Sequence, residues 1–71
     1  MNEQEENLMD IYMAGFVDEL HGNPEVEFTD ILSERAYQLG RVDALIGDEV
    51  RSVDYQTNEE ILHRIYNIPK L

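Results

Sequence analysis

Apolar residues along the chain fall into two long stretches with helical period and one short one. Across residues 4–21, Leu8, Tyr12, Phe16 and Leu20 recur every four positions, with Met9, Met13 and Val17 beside them. That spacing predicts an amphipathic helix. Acids crowd its first turn, where the helix dipole favours them. Gly22 follows the last apolar residue and suits a left-handed C-terminal position. Asn23-Pro24 then punctuates the chain. The two residues suit the cap and first turn of another helix. Alternation of Val26 and Phe28 with Glu25 and Glu27 supports an extended connector instead.

A second helix is predicted from Thr29 or Asp30 to Ile46. Its main stripe is Leu32, Leu39, Val42 and Ile46, flanked by Ile31, Ala36 and Leu45. Glu34, Arg35, Gln38 and Arg41 lie elsewhere on the cylinder, and Gly47-Asp48 reads as its end. Residues 48–56 have no clear period; Val50, Val53 and Tyr55 suit anchors of a loop or a short helical turn. Thr57-Asn58-Glu59-Glu60 fits a capping box. Ile61, Leu62, Ile65 and Tyr66 then form a short apolar face before Pro69. The pattern predicts an all-α chain: one compact three-helix domain over residues 1–71.

The two long stretches repeat one another. Residues 12–22 align without gaps over residues 37–47, at an offset of 25, and six of eleven positions are identical. The shared pattern is Y-x-x-G-x-V-D-x-L-x-G. A repeat this short invites a solenoid reading, but two copies point to a duplicated or convergent helix-turn unit. The interior glycines, Gly15 and Gly40, each cost ~1 kcal/mol against alanine inside a helix. Close approach of another backbone or ring offsets that cost. Helices 1 and 2 are therefore expected to pack as a pseudo-twofold pair near Gly15 and Gly40. Tyr and Asp of one copy lie about 120° apart around their own helix. Across a helix pair or a dimer, Tyr12 can meet Asp43 and Tyr37 can meet Asp18, giving a buried phenol an acceptor. The ordinary arrangement, tyrosines at the core edge and aspartates in water, is the expectation favoured here.

Charge adds an asymmetry. The net charge is −11, and residues 1–34 hold ten acids and no lysine or arginine. Residues 35–71 are nearly balanced, with six acids and all five bases. Without Lys/Arg clusters, neither a phosphate backbone nor an anionic membrane is a natural direct partner. A basic protein surface is. Solubility is the bland explanation for the acidity, of equal weight. Glu3, Glu5, Glu6 and Asp10 are the candidate partner-binding acidic face.

Candidate chemistry is sparse. There is no cysteine, and His21 and His63 are too few for a zinc site. Phosphate-binding glycine loops and the EF-hand pattern are absent from the sequence. Ser33 and Ser52 have no spacing that recruits a His-acid pair. The chain is expected to be neither an enzyme nor a cofactor or metal carrier. A core this small supports only ~3–5 kcal/mol of stability, and with disulfides excluded a homo-oligomer is the expected support. The first residues are acidic where a secretory leader is basic and then apolar, and no run approaches a membrane span. A cytoplasmic location is the default expectation.

In size, acidity and lack of cysteine the chain resembles the small accessory proteins that phages and mobile elements carry. That group includes inhibitors of host nucleases, polymerases and defence systems, some of which mimic DNA with ordered carboxylates. The resemblance rests on composition and size and assigns no residue. Together these features favour a small protein-binding module, an inhibitor or adaptor acting on a basic surface such as that of a nucleic-acid-binding protein. The alternative is an oligomeric sponge for an anionic small molecule such as a signalling nucleotide. It would use Tyr12, Tyr37, Arg35 and Arg41 at subunit interfaces, where Arg forks onto phosphate and Tyr stacks on a base. A third reading is a structural homo-oligomer without ligand.

Overall fold

The computed structural model describes residues 2–49 and 58–67. Three helices follow one another: α1 (Glu3–His21), α2 (Ile31–Glu49) and α3 (Asn58–Tyr66). No strand occurs among the described residues.

Local chemistry sets the ends of α1. The Asn2 side chain accepts from the Glu5 backbone N–H at 2.8 Å, and Glu5 accepts from the Asn2 N–H at 3.2 Å. This reciprocal pair satisfies two of the donors that a helix start leaves orphaned. At the other end Gly22 adopts a left-handed conformation, φ 68. Residues 23–28 form a connector without regular structure rather than a new helix. Asp30 opens α2 by accepting from the Ser33 N–H at 2.8 Å. Gly47-Asp48 is the expected end of α2, but the helix continues to Glu49. A glycine permits a stop without imposing one; Gly47 has no left-handed φ. Thr57 and residues 48–56 fall largely outside the described residues, so the capping box and the loop anchors do too.

Tertiary contact is dominated by α1 against α2, and glycine makes it close. A Cβ on Gly15 would lie 2.1 Å from the Tyr37 carbonyl oxygen; one on Gly40 would lie 2.0 Å from the Tyr12 carbonyl oxygen. The approach is reciprocal: each glycine receives the backbone of the other helix's tyrosine.

That crossing rotates α2 away from the stripe read from hydrophobicity. Its inward residues are Ala36, Tyr37, Gly40, Asp43 and Ala44. Leu32 and Leu39 are partly buried, while Val42, Ile46, Ile31 and Leu45 are exposed. The correction has a steric cause: helices in backbone contact must put small residues between them, and large aliphatics are displaced to the flanks. On α1, Leu8, Met9 and Tyr12 are buried and Phe16 is partly so; Met13, Val17 and Leu20 face solvent. Helix α3 adds Ile61, Leu62 and Ile65 to the core formed with Leu8, Met9, Tyr12 and Ala36.

The clash distances make a direct prediction. Gly15→Ala and Gly40→Ala should each destabilise the protein by about 2–3 kcal/mol through overpacking, despite alanine's ~1 kcal/mol advantage in a helix. Thermal unfolding followed by circular dichroism should show a Tm fall of roughly 10 °C or more for each. An unchanged or raised Tm would contradict the close crossing.

Candidate functional site

Polar chemistry in the interior is concentrated at two Tyr–Asp contacts flanking the glycine crossing. The Tyr12 hydroxyl donates to Asp43 Oδ2 at 2.5 Å. The Tyr37 hydroxyl donates to Asp18 Oδ2 at 2.6 Å. The favoured expectation of solvated aspartates is thereby corrected for Asp43, which is 1% exposed. Each phenol sits inside the helix pair, where an unpaired hydroxyl is costly, and the other helix's carboxylate accepts from it.

The two contacts are finished differently. Asp43 is closed over by α3: Arg64 donates from Nη1 to Oδ2 at 2.8 Å and from Nη2 to Oδ1 at 2.7 Å. This fork supplies the opposite charge that a buried carboxylate requires. Asp18 is closed over by the connector. Asn23 Nδ2 donates to its Oδ1 at 3.2 Å, the Val26 N–H donates to the Tyr37 hydroxyl at 3.1 Å, and Phe28 packs on the Tyr37 ring at 5.3 Å. Arg41 lies over the Tyr37 ring, with its guanidinium carbon 5.8 Å from the ring centroid and Nη2 3.3 Å from Glu19.

These surroundings move the acids in opposite directions. Burial, and then the hydrogen bond to Asp43, push the Tyr12 phenol well above its ordinary value. The Tyr37 hydroxyl, and then the Asn23 amide, hold the Asp18 carboxyl below its ordinary range.

The other candidate residues lie elsewhere. Glu3, Glu6 and Asp10 are exposed and, with Gln4 and Asn7, line one shallow depression on the first half of α1. Glu5 is half-buried and belongs to the cap rather than to that face. On the same solvent-facing side, the second half of α1 is apolar: Met13, Val17 and Leu20 are 51%, 42% and 54% exposed. Arg35 is half-buried on α2. Arg64 completes this site; the sequence offers its arginines an excess of acid to pair with but does not name Asp43 as the partner. Its signal was faint: one basic residue on a short apolar helix, with nothing local to name its partner. No cluster of three or more metal-ligating side chains forms among the described residues. No described helix is long and apolar enough to cross a membrane. Comparison with protein-family models, curated proteins and solved structures gives no match.

Two outcomes follow. Arg64→Met leaves the Asp43 carboxylate buried without its cation. It should cost roughly 2–4 kcal/mol, below the worst cases because Arg64 keeps 35% of its side chain in solvent. A double-mutant cycle with Asp43→Asn in urea unfolding should return a coupling above about 1 kcal/mol; additive effects would contradict the contact. The second outcome concerns pH. Tyr12 has a higher pKa folded than unfolded, so its contribution is complete below the unfolded phenol value of about 10 and is lost as pH rises toward the folded value. Stability measured from about pH 8 to about pH 11 should fall more steeply in the wild type than in Tyr12→Phe. Parallel curves would remove the buried phenol from the explanation.

Proposed function

We propose that this chain is a small acidic protein-binding module, an inhibitor or adaptor that engages a basic partner surface. The observation that carries the reading is the state of the charges. Arg41 and Arg64 are drawn into contacts with Glu19 and Asp43, whereas Glu3, Glu6 and Asp10 stand exposed together on a helix that has no lysine or arginine. Acid on that face is not offset by its own helix. Such a surface accelerates encounter with a basic one and favours partners whose cations match it. The style of the chain, shared with small phage and mobile-element accessory proteins, fits inhibition or anti-defence activity on a nucleic-acid-binding target. A cytoplasmic setting fits the same reading.

The sponge reading has one observation in its favour. Arg41 Nη1 is buried without a hydrogen-bond partner among the described residues. Against it, Tyr12 and Tyr37 are 3% and 0% exposed, so neither ring face is open for stacking. An anion at Arg41 would also meet Glu19 and Asp18 beside it.

Affinity capture from extracts of the native host tests the proposal. Wild-type protein should retain a basic partner at low salt and release it as salt screens the contact. Glu3→Gln, Glu6→Gln and Asp10→Asn combined, with Glu5 kept to preserve the cap, should lose that partner while keeping its helical spectrum. Equal recovery by both proteins, or recovery indifferent to salt, would overturn the reading.

A further inference from the structure

The repeat has a second set of shared positions that the interior does not use. Its Tyr, Gly and Asp turn inward or toward the other helix; its Val and Leu do not. Val17 and Val42 are 42% and 46% exposed, and Leu20 and Leu45 are 54% and 57% exposed. Exposure agrees copy by copy, so each helix presents the same apolar outer surface. Met13 extends it on α1 and Ile46 on α2, at 51% and 45% exposure. The two surfaces meet at Leu20 and Leu45, which line one depression of about 230 Å³ with Glu19 and Ala44. The connector closes over Tyr37 and Asp18 and α3 closes over Tyr12 and Asp43; no described element closes over this depression.

We propose that this depression is the centre of an isologous interface with a second copy of the chain, Leu20 and Leu45 of one copy packing on the same pair of the other. The inference is independent of the acidic-face reading. Charge selects the occupant. A chain of net charge −11 repels itself unless the contact zone is locally neutral. Here it is. Glu19, the acid lining the depression, is paired with Arg41 at 3.3 Å, and Asp43, next to Ala44, is paired with Arg64 at 2.7 Å. A basic partner would find no open carboxylate at the depression, and an acidic copy of the chain meets no added repulsion there. Among the described residues the exposed acids lie elsewhere: Glu3, Glu6 and Asp10 on the first half of α1, Glu25, Glu27 and Asp30 in the connector, and Glu59 and Glu60 on α3.

Symmetry and area agree. An isologous interface requires a patch complementary to itself, and a surface already built from two matched Val/Leu sets offers like chemistry to its own image. Six aliphatic side chains, each about half exposed, form the apolar centre of a contact. A standard interface takes roughly 800 Å² from each partner, so these side chains would form its centre rather than its whole. A small core gains from covering it.

Sedimentation equilibrium on the full chain, across micromolar to millimolar concentration, tests this. The wild type should be a dimer. Leu20→Asp with Leu45→Asp should be a monomer that keeps its helical spectrum, since both side chains already face solvent. Val17→Ser with Val42→Ser, a milder change, should raise the dimer dissociation constant by roughly tenfold or more. Val26→Asp, on the exposed connector, and the Glu3, Glu6 and Asp10 neutralisation should leave the dimer intact, which separates this interface from the acidic face. A wild type that stays monomeric at the highest concentration, or a Leu20/Leu45 double variant that stays dimeric, would overturn the proposal.

Discussion

Everything in this fold follows from two helices being allowed to touch at the backbone. Gly15 against the Tyr37 carbonyl and Gly40 against the Tyr12 carbonyl leave no space for a side chain at either point. Once the axes are that close, only small or flat groups fit between them. The tyrosine rings must then lie along the crossing with their hydroxyls reaching the other helix. Asp43 and Asp18 receive those hydroxyls, which turns a steric constraint into a polar one. The large aliphatics of α2 are displaced outward for the same reason.

Two unlike elements complete two like contacts. At Tyr12–Asp43 the cover is α3, which brings Arg64 and three aliphatic side chains. At Tyr37–Asp18 it is the connector, which brings Asn23, the Val26 amide and the Phe28 ring. One carboxylate is sealed with a full counter-charge; the other stays half-exposed, held by neutral donors and a neighbouring arginine. The difference is one of dielectric: a buried carboxylate needs a cation at hand, whereas a half-exposed one shares its charge with water.

Much of this is legible in the sequence, and the exceptions share a cause. Helix positions followed from periodicity, and Gly22 from the need for a left-handed residue. The glycine contact was readable because an interior glycine at the same place in both copies demands a reason. The Tyr–Asp partners were readable from the same alignment, though the general habits of aspartate argued for water. Hydrophobicity misplaced α2 because it ranks Leu32, Leu39, Val42 and Ile46 above Ala36, Gly40 and Ala44, and a close crossing reverses that ranking. Arg64 was hidden because its partner is 21 residues away and no local pattern names it. Glu5 illustrates the opposite lesson: one acid in an acidic run had a specific local task as a cap.

The Asp43 carboxylate has a consequence for how the chain comes apart. It is carried by α2, receives its hydroxyl from α1 and its guanidinium from α3. No two of the helices can satisfy it alone. Pulling α3 away strands a charge inside the remaining pair, and separating the pair strands both a phenol and a charge. Partial structures are therefore penalised, and the three helices are tied into a single cooperative unit by one side chain.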